Sequence, residues 1–525
     1  MNKINRVIYC IIDNVRSDHL FDLVNKGMLP NISKLMENGI YSKNCITDFP
    51  PITYPTQASM ITGTYTGDYR KEFCHGVPLM NWMGRNTAPP FLRDYTAKSL
   101  QIYKLNKDLG NKCKTILEMV GDENTASISQ FINRGAKYFF PERPTKLAMF
   151  YLTLYYSRNI KSMMARADTG LVQKLINTFQ KPKKYFKNSE PPIASLLWFP
   201  TTDVLLHIFG SSSQIYKLNI LHIDKVIGVL IESLDNMGYL EDTAIAVTAD
   251  HGNYKADKIG NPFNFFKANN LTHFQARRNI RGNMSVSKYD GVGFFNFKGI
   301  INSNHKNGWA HPTIEEMENY GPKKVNLLQD LFKIEGSHLM YYREENNTHE
   351  NGIIHLKRKL KGTKKVISGK IEYTGSGSNF KTKYIMENGD IDIFDYLNDE
   401  TASKLIDNKF HTIGEWLGAT YHLDFPLYPD LIPRHLKNPR SSDIILSNDG
   451  SVVYNLKNGK KVANKNLNNH DIGTRDCMNI PLIIGGSLDI PHKQVPYCKI
   501  TDIVPTLLQL LGKNPHKSVI GQSLI

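Results

Sequence analysis

The chain of 525 residues is long enough for one large domain with insertions or for two or three domains, and its 41% hydrophobic and 22% charged residues read as globular. Lysine and arginine number 65 against 49 acidic residues, a formal net charge of +16, so the expected partner is an anion: nucleotide, phosphorylated metabolite, nucleic acid or acidic membrane surface. The six cysteines are scattered without a CxxC spacing, so neither a zinc knuckle nor a disulfide framework is indicated and a reducing compartment, by expectation the cytoplasm, fits best.

In chain order, Val7 to Ile12 is a continuous apolar run that suits a parallel strand covered on both faces. It is shorter than a signal-peptide core, and no apolar run reaches the ~18 residues of a membrane span, so neither is expected. Asp13 then stands at a strand's carboxyl end, where open α/β sheets place their sites, or it caps the next turn. Pro30 to Gly39 has proline near its start and glycine at its stop and predicts a short helix. The stretch FPPITYPTQASMITG, Phe49 to Gly63, brings Thr53 to a loop entering a helix, where an anion is favoured. An ST-turn or a helix N-cap is the bland alternative for Thr53. In the loop CHGVPLMNWMG, after His75-Gly76, Asn81 is either a turn residue or an amide donor to a phosphoryl oxygen.

From Gly84 to Pro192 the sequence shows helical stretches and a basic segment, QKPKKYFKN, read as a solvated linker. IASLLWFP predicts a second buried strand, followed by Asp203 and His207, which share one face if the segment is helical and can converge on one ion. A cap plus a partly buried histidine is the alternative. Ile220, Ile223, Ile227, Leu230, Ile231 and Leu234 form a helical apolar face that stops at Gly238. TAIAVTA is a third strand; it delivers Asp250, His251 and Gly252 and completes a βαβ crossover. Residues 254–442 shift toward Asn, Lys and Gly, with alternating pieces such as KIEYTGSG and NGDIDIFDY, and are expected to form an α+β insertion. The run HLKRKLKGTKKVISGK reads as a solvated hairpin face; without interleaved aromatic residues it is not read as a nucleic-acid site. The core pattern returns near Asp443 and continues through LNNHDIGTRDCMN, with His470, then PLIIGG and KITDIVPTLLQLLG, whose helix Thr501 or Asp502 caps.

The set of IIDNVRSD, FPPITYPTQASMITG, a downstream HG, Asp-x-x-x-His, ADHG and a late histidine before an apolar strand resembles the alkaline phosphatase superfamily. Its threonine is similar to that of the type I phosphodiesterase/nucleotide pyrophosphatase branch. Residues 1–82, 195–253 and 465–525 carry the likeness. It implies a doubly wound, mostly parallel α/β sheet with helices on both faces, in a hydrolase core of 1–253 and 443–525 interrupted by 254–442. It also implies two divalent ions, one held by Asp13, Thr53, Asp250 and His251 and the other by Asp203, His207 and His470. The reaction implied is hydrolysis of phosphoester or phosphoanhydride bonds in a small anionic or nucleotide substrate, through a phosphothreonine. From the residues alone, acids at the ends of parallel strands meet at one sheet edge, and with three histidines they suit zinc, with manganese second. The alternatives are a phosphomonoesterase, a phosphonate hydrolase, a mutase-type isomerase or a non-catalytic nucleic-acid-binding protein. The chain departs from the family pattern at His470-Asp471, where glycine is usual after the histidine, and at Asn81, one residue farther from His75-Gly76 than the family spacing.

Overall fold

The three unbroken apolar runs pair with one another in the computed structural model, which describes residues 4–525 apart from 97–98, 276–278, 288–289, 304–307, 388, 390, 456–466 and the side chains of 150, 151, 154 and 155. The first half of the chain runs β1 (Arg6–Ile12), α1 (Ser17–Asn25), α2 (Pro30–Glu37), β2 (Ile40–Ile46) and α3 (Thr53–Thr62). A hairpin of β3 (Asn81–Gly84) and β4 (Phe91–Asp94) follows, then β5 (Thr125–Ile128), β6 (Tyr138–Phe140), β7 (Ala194–Phe199) and β8 (Thr243–Ala249). Strands β8, β1, β7, β5 and β6 lie side by side in that order, all parallel. The strand Asn479–Gly486 joins β8 antiparallel, and β2 closes onto its far side. The sheet is therefore mixed at one edge and parallel through its centre. Every residue of β7 and β8 is buried, which requires cover on both faces and explains why these strands show no alternation.

The predicted crossover is present, with one refinement. From β7 the chain passes through the helices Thr201–Phe209 and Gln214–Asn236 to β8, and β1 lies between the two strands it connects. Between Gly84 and Pro192 the sequence signalled no strand, yet β5 and β6 extend the sheet there; at four and three residues they are too short to display a period. The helix Ile160–Gln180 packs in the same region and is N-capped by Asn159.

A second sheet of eight strands lies downstream, and it takes in the strand Ile444–Asn448 between Val292–Phe297 and Ser337–Arg343. Re-entry into the central sheet thus comes at Asn479, later than the return of apolar pattern at Asp443. The basic run forms the hairpin of Asn351–Lys359 and Val366–Thr374. Its charges are only partly solvated: Arg358 ion-pairs with Asp395 at 2.8 Å and Lys359 donates to the Phe332 carbonyl at 2.9 Å. In NGDIDIFDY, residues 388 and 390 lie outside the described set, and the described remainder up to Asp395 is not strand. The polar loop 456–466 before His470 also lies outside it. No described helix is long and apolar enough to cross a membrane.

Candidate active site

Sheet register sets the first contacts. Ile12 is level with Phe199 on one side and Ala249 on the other, so Asp13 and Asp250 leave the sheet on the same rung. Both are buried, with Asp250 anchored by the amides of Asn14 and His251 at 3.1 and 2.9 Å and by Gln57 Nε2 at 2.8 Å. Asp13 Oδ2 accepts from Trp198 Nε1 at 3.2 Å, while its Oδ1 is buried without a hydrogen-bond partner. Gly252 then lets the chain turn against Asp476, whose carbonyl a Cβ there would meet at 2.1 Å.

Thr53 is the first residue of α3, a helix buried along its whole length and ended by Gly63 in the left-handed conformation at φ 68°. Pro55 sits in the first turn, where its missing N–H is not needed. The N-cap is Ile52, with no side-chain cap, so Thr53 is not the capping residue that the bland reading required. Its Oγ1 lies 3.3 Å from His251 Nε2. His75, from the predicted His-Gly pair, is part of the scaffold: buried, it contacts Ser59 Oγ at 3.0 Å, and Ser59 donates to Asp48 at 2.6 Å, pinning the Phe49 loop to α3.

Two donor clusters result. Asp13, Asp250 and His251 converge in one, and Asp203, His207 and His470 in the other, each close enough to hold a single metal ion. Asp203 and His207 are indeed helical and one turn apart, with 3.2 Å between Oδ1 and Nε2. His470 Nε2 is 4.0 Å from Asp203 Oδ1, and its ring stacks on His251 with centroids 3.9 Å apart, which joins the clusters. The tautomers are assigned from carbonyl partners: His251 Nδ1 donates to Gly252 O at 3.2 Å and His470 Nδ1 to Pro51 O at 3.0 Å. Each ring is left with an Nε2 lone pair directed into the site.

The charges are unfavourable for the protein groups by themselves. Burial, followed by the charges of Asp250 and Asp203, drives the Asp13 carboxyl well above its ordinary range, and burial brings Asp250 up to about 6. Burial lowers His251 to about 4 and, with His251 beside it, His470 to about 3. At Asp203 burial opposes charge, but His207 holds it below the carboxylate range, and Asp203 in turn raises His207 to about 9 against its own burial. His251 Nε2 faces Asp13 Oδ1 at 3.5 Å and Asp250 Oδ1 at 3.7 Å, an arrangement of lone pairs that repel one another. A cation between them converts repulsion to coordination, and the unpartnered Asp13 oxygen meets the same need, so the donor sets fit divalent metals.

Several site residues carried no sequence signal. Asn14 bridges the clusters, its amide on Asp250 and its Nδ2 on Asp203 Oδ1 at 2.8 Å. Gln57 and Gln130 form a chain behind Asp250, and Asn253 donates to Asn14 Oδ1 at 3.0 Å. Position offered one clue: Gln57 follows Thr53 by one helical turn. Asn81 opens β3 opposite Asp94 and lines a small cavity with Trp82, Leu92 and His273, whose lining includes none of the other predicted site residues. A larger cavity of about 640 Å³ between Arg85, Trp309, His311, Arg343 and Lys437 is also built from other residues. Its Arg85 and Lys437 are neutralised internally by Asp443 and Glu72.

Solved structures share this fold. Human ectonucleotide pyrophosphatase/phosphodiesterase 5 matches with a TM-score of 0.55 and 13% identity, covering 97% of this chain and 96% of its own. An inactive form of murine ectonucleotide pyrophosphatase/phosphodiesterase 5 in complex with AMP matches at 0.55 and 12%, covering 98% and 96%. The chain thus has the fold of these ectonucleotide pyrophosphatase/phosphodiesterases. Residues 7–359 match the type I phosphodiesterase/nucleotide pyrophosphatase family, and the chain belongs to it. An uncharacterised pyrophosphatase/phosphodiesterase of Schizosaccharomyces pombe is 25% identical over 251 residues, 47% of this chain and 44% of that protein. The bis(5'-adenosyl)-triphosphatase ENPP4 of Pongo abelii is 21% identical over 256 residues, 47% of each. The matched part of the chain spans about half the length of these relatives.

Proposed function

We propose that the protein is a metal-dependent phosphodiesterase and nucleotide pyrophosphatase that cleaves phosphoester or phosphoanhydride bonds through a covalent phosphothreonine at Thr53. The observation that carries this reading is the Thr53 hydroxyl, at a helix start, 3.3 Å from His251 and beside two carboxylate and imidazole clusters. A nucleotide-type substrate is supported by the relatives' names and by the AMP bound to murine ectonucleotide pyrophosphatase/phosphodiesterase 5.

Asp13, Thr53, Asp250 and His251 would hold one ion and Asp203, His207 and His470 the other, with zinc suited to the mixed oxygen and nitrogen donors and manganese second. Such a pair of ions, when bound, stabilises both the attacking and the leaving oxygen of an in-line displacement. Thr53 Oγ1 attacks phosphorus and the bond to the leaving oxygen breaks; water then attacks the phosphothreonine and restores the hydroxyl. The uncapped amino end of α3 adds its positive dipole at the phosphoryl group. Asn81 enters the proposal as a donor to a phosphoryl oxygen on the family resemblance alone, since it lines a cavity apart from the two donor clusters. Residues 254–442 would form a cap, supported by the Asp471 carboxylate accepting the amides of Gly291 and Val292 next to His470. The buried, free cysteines fit the cytoplasm as the proposed location.

Thr53→Ala tests this. It should keep fold and metal content yet lower kcat on a chromogenic phosphodiester by at least several hundredfold, while Thr53→Ser keeps partial activity. A fully active Thr53→Ala protein would end the phosphothreonine reading.

A further inference from the structure

The helix Pro144–Tyr156 exposes apolar side chains where an ordinary surface helix exposes polar ones. Met149 is 67% exposed, Leu152 57% and Tyr156 75%, while Leu147 at 8% is the buried anchor. From Leu147 to Tyr156 the sequence LAMFYLTLYY contains one polar side chain apart from the tyrosine hydroxyls, Thr153, which returns its hydroxyl to the Met149 carbonyl at 2.8 Å. Contiguous apolar exposure of this kind marks an interaction surface.

The charges around the helix select its occupant. Arg143 precedes the apolar segment and Arg158, Lys161 and Arg166 follow it, all exposed, with no acidic residue from 143 to 167; Lys146 is also exposed but ion-pairs with Glu142 just upstream. The basic segment QKPKKYFKN lies close by, since the Tyr185 ring packs on Tyr138 of β6 at 4.7 Å. Lys146 and Lys174 both stand over the Phe140 ring, at 5.7 and 5.2 Å. An apolar stretch framed by cations matches the acyl boundary and headgroups of an anionic bilayer. A second copy of the chain would set these cations against their own kind, and an acidic peptide would leave the apolar side chains uncovered.

We propose that the helix Pro144–Tyr156, with the cations on either side of it, docks the protein onto an anionic lipid bilayer. Its 13 residues span about 20 Å, short of a hydrocarbon core, so the helix lies in the interface and does not cross it. Because β6 is parallel to β1 and β8, the helix departs from the sheet edge that carries Asp13 and Asp250. Docking therefore holds that edge near the membrane surface.

The test is co-sedimentation of the purified full chain with vesicles of phosphatidylcholine alone or mixed with phosphatidylglycerol. The protein should pellet with the mixed vesicles, stay in solution with phosphatidylcholine, and be released by salt. Met149→Glu with Leu152→Glu should weaken binding at least about tenfold. Arg158→Ser with Lys161→Ser should weaken it several-fold and flatten its salt dependence. These positions are exposed, so an unchanged melting temperature is the folding control. The proposal is overturned if the wild-type chain stays in solution with anionic vesicles at low salt, if both variants pellet as it does, or if phosphatidylcholine binds equally. It is equally overturned if sedimentation velocity shows a dimer that the Met149/Leu152 variant dissolves while no vesicle binds.

Discussion

Asn14 is where the two donor clusters touch within one residue. It adopts φ 61°, a left-handed conformation that asparagine and glycine tolerate, and this lets its amide reach Asp250 while its side chain reaches Asp203. Its carbonyl accepts from Tyr216 at 2.9 Å, so the residue is held from the helix side as well. Asn14→Gly keeps the backbone conformation and removes two side-chain contacts, the one to Asp203 Oδ1 and the one accepted from Asn253. It should leave the melting temperature close to wild type and weaken metal binding at the Asp203 cluster by about 10- to 100-fold, the usual cost of losing a ligand's supporting hydrogen bond. Chelator competition reads this directly, and an affinity equal to wild type would show that Asn14 does not orient Asp203.

At the scale of elements, the helix bearing Asp203 and His207 is fixed from behind by a buried carboxyl. Asp168, on the helix Ile160–Gln180, accepts from Thr201 Oγ1 at 2.8 Å and from Asn219 Nδ2 at 3.0 Å, tying three helices together two residues before Asp203. Burial raises Asp168 to about 7 although both partners act to lower it. A carboxyl whose folded value lies above its unfolded value near 3.8 contributes stability below that value and loses it as pH rises through about 7. Asp168→Asn, which cannot ionise, should therefore flatten the fall in stability between these two values. Denaturant unfolding of both proteins across that range is the measurement; parallel curves would show that Asp168 is not the group responsible.

Across the whole molecule, the proposed ligands come from residues 13, 53, 203, 207, 250–251 and 470, so one bound ion would link the central sheet to the Thr53 helix and the other the Asp203–His207 helix to the segment that follows the second sheet. Anything that binds the folded chain and not the unfolded one stabilises it by mass action. Chelation should accordingly lower the melting temperature by several degrees, reversibly on adding zinc. His470→Ala should reduce bound zinc from about two ions to about one and remove part of that shift. A melting temperature indifferent to chelator, or two ions still bound tightly to His470→Ala, would place the metal elsewhere.

Strands covered on both faces must be apolar throughout, and for that reason β1, β7 and β8, with the polar residues closing them, were legible in the sequence, as was the Asp203–His207 helix from its spacing. Thr53 and its place where a loop enters a helix were legible through its motif, while the absence of a side-chain cap and the contact with His251 came only with the fold. Short strands such as β5 and β6 have no period to read, and the antiparallel entry of Asn479–Gly486 depends on pairing across more than two hundred residues. The second sheet's capture of Ile444–Asn448 is likewise a matter of pairing partners, which an apolar run does not name. Hydrophobic pattern reports whether a segment is buried, because burial is a property of each side chain; which segments meet, and so that Asn14 and Gln57 join the carboxylates, is decided by register and packing in three dimensions.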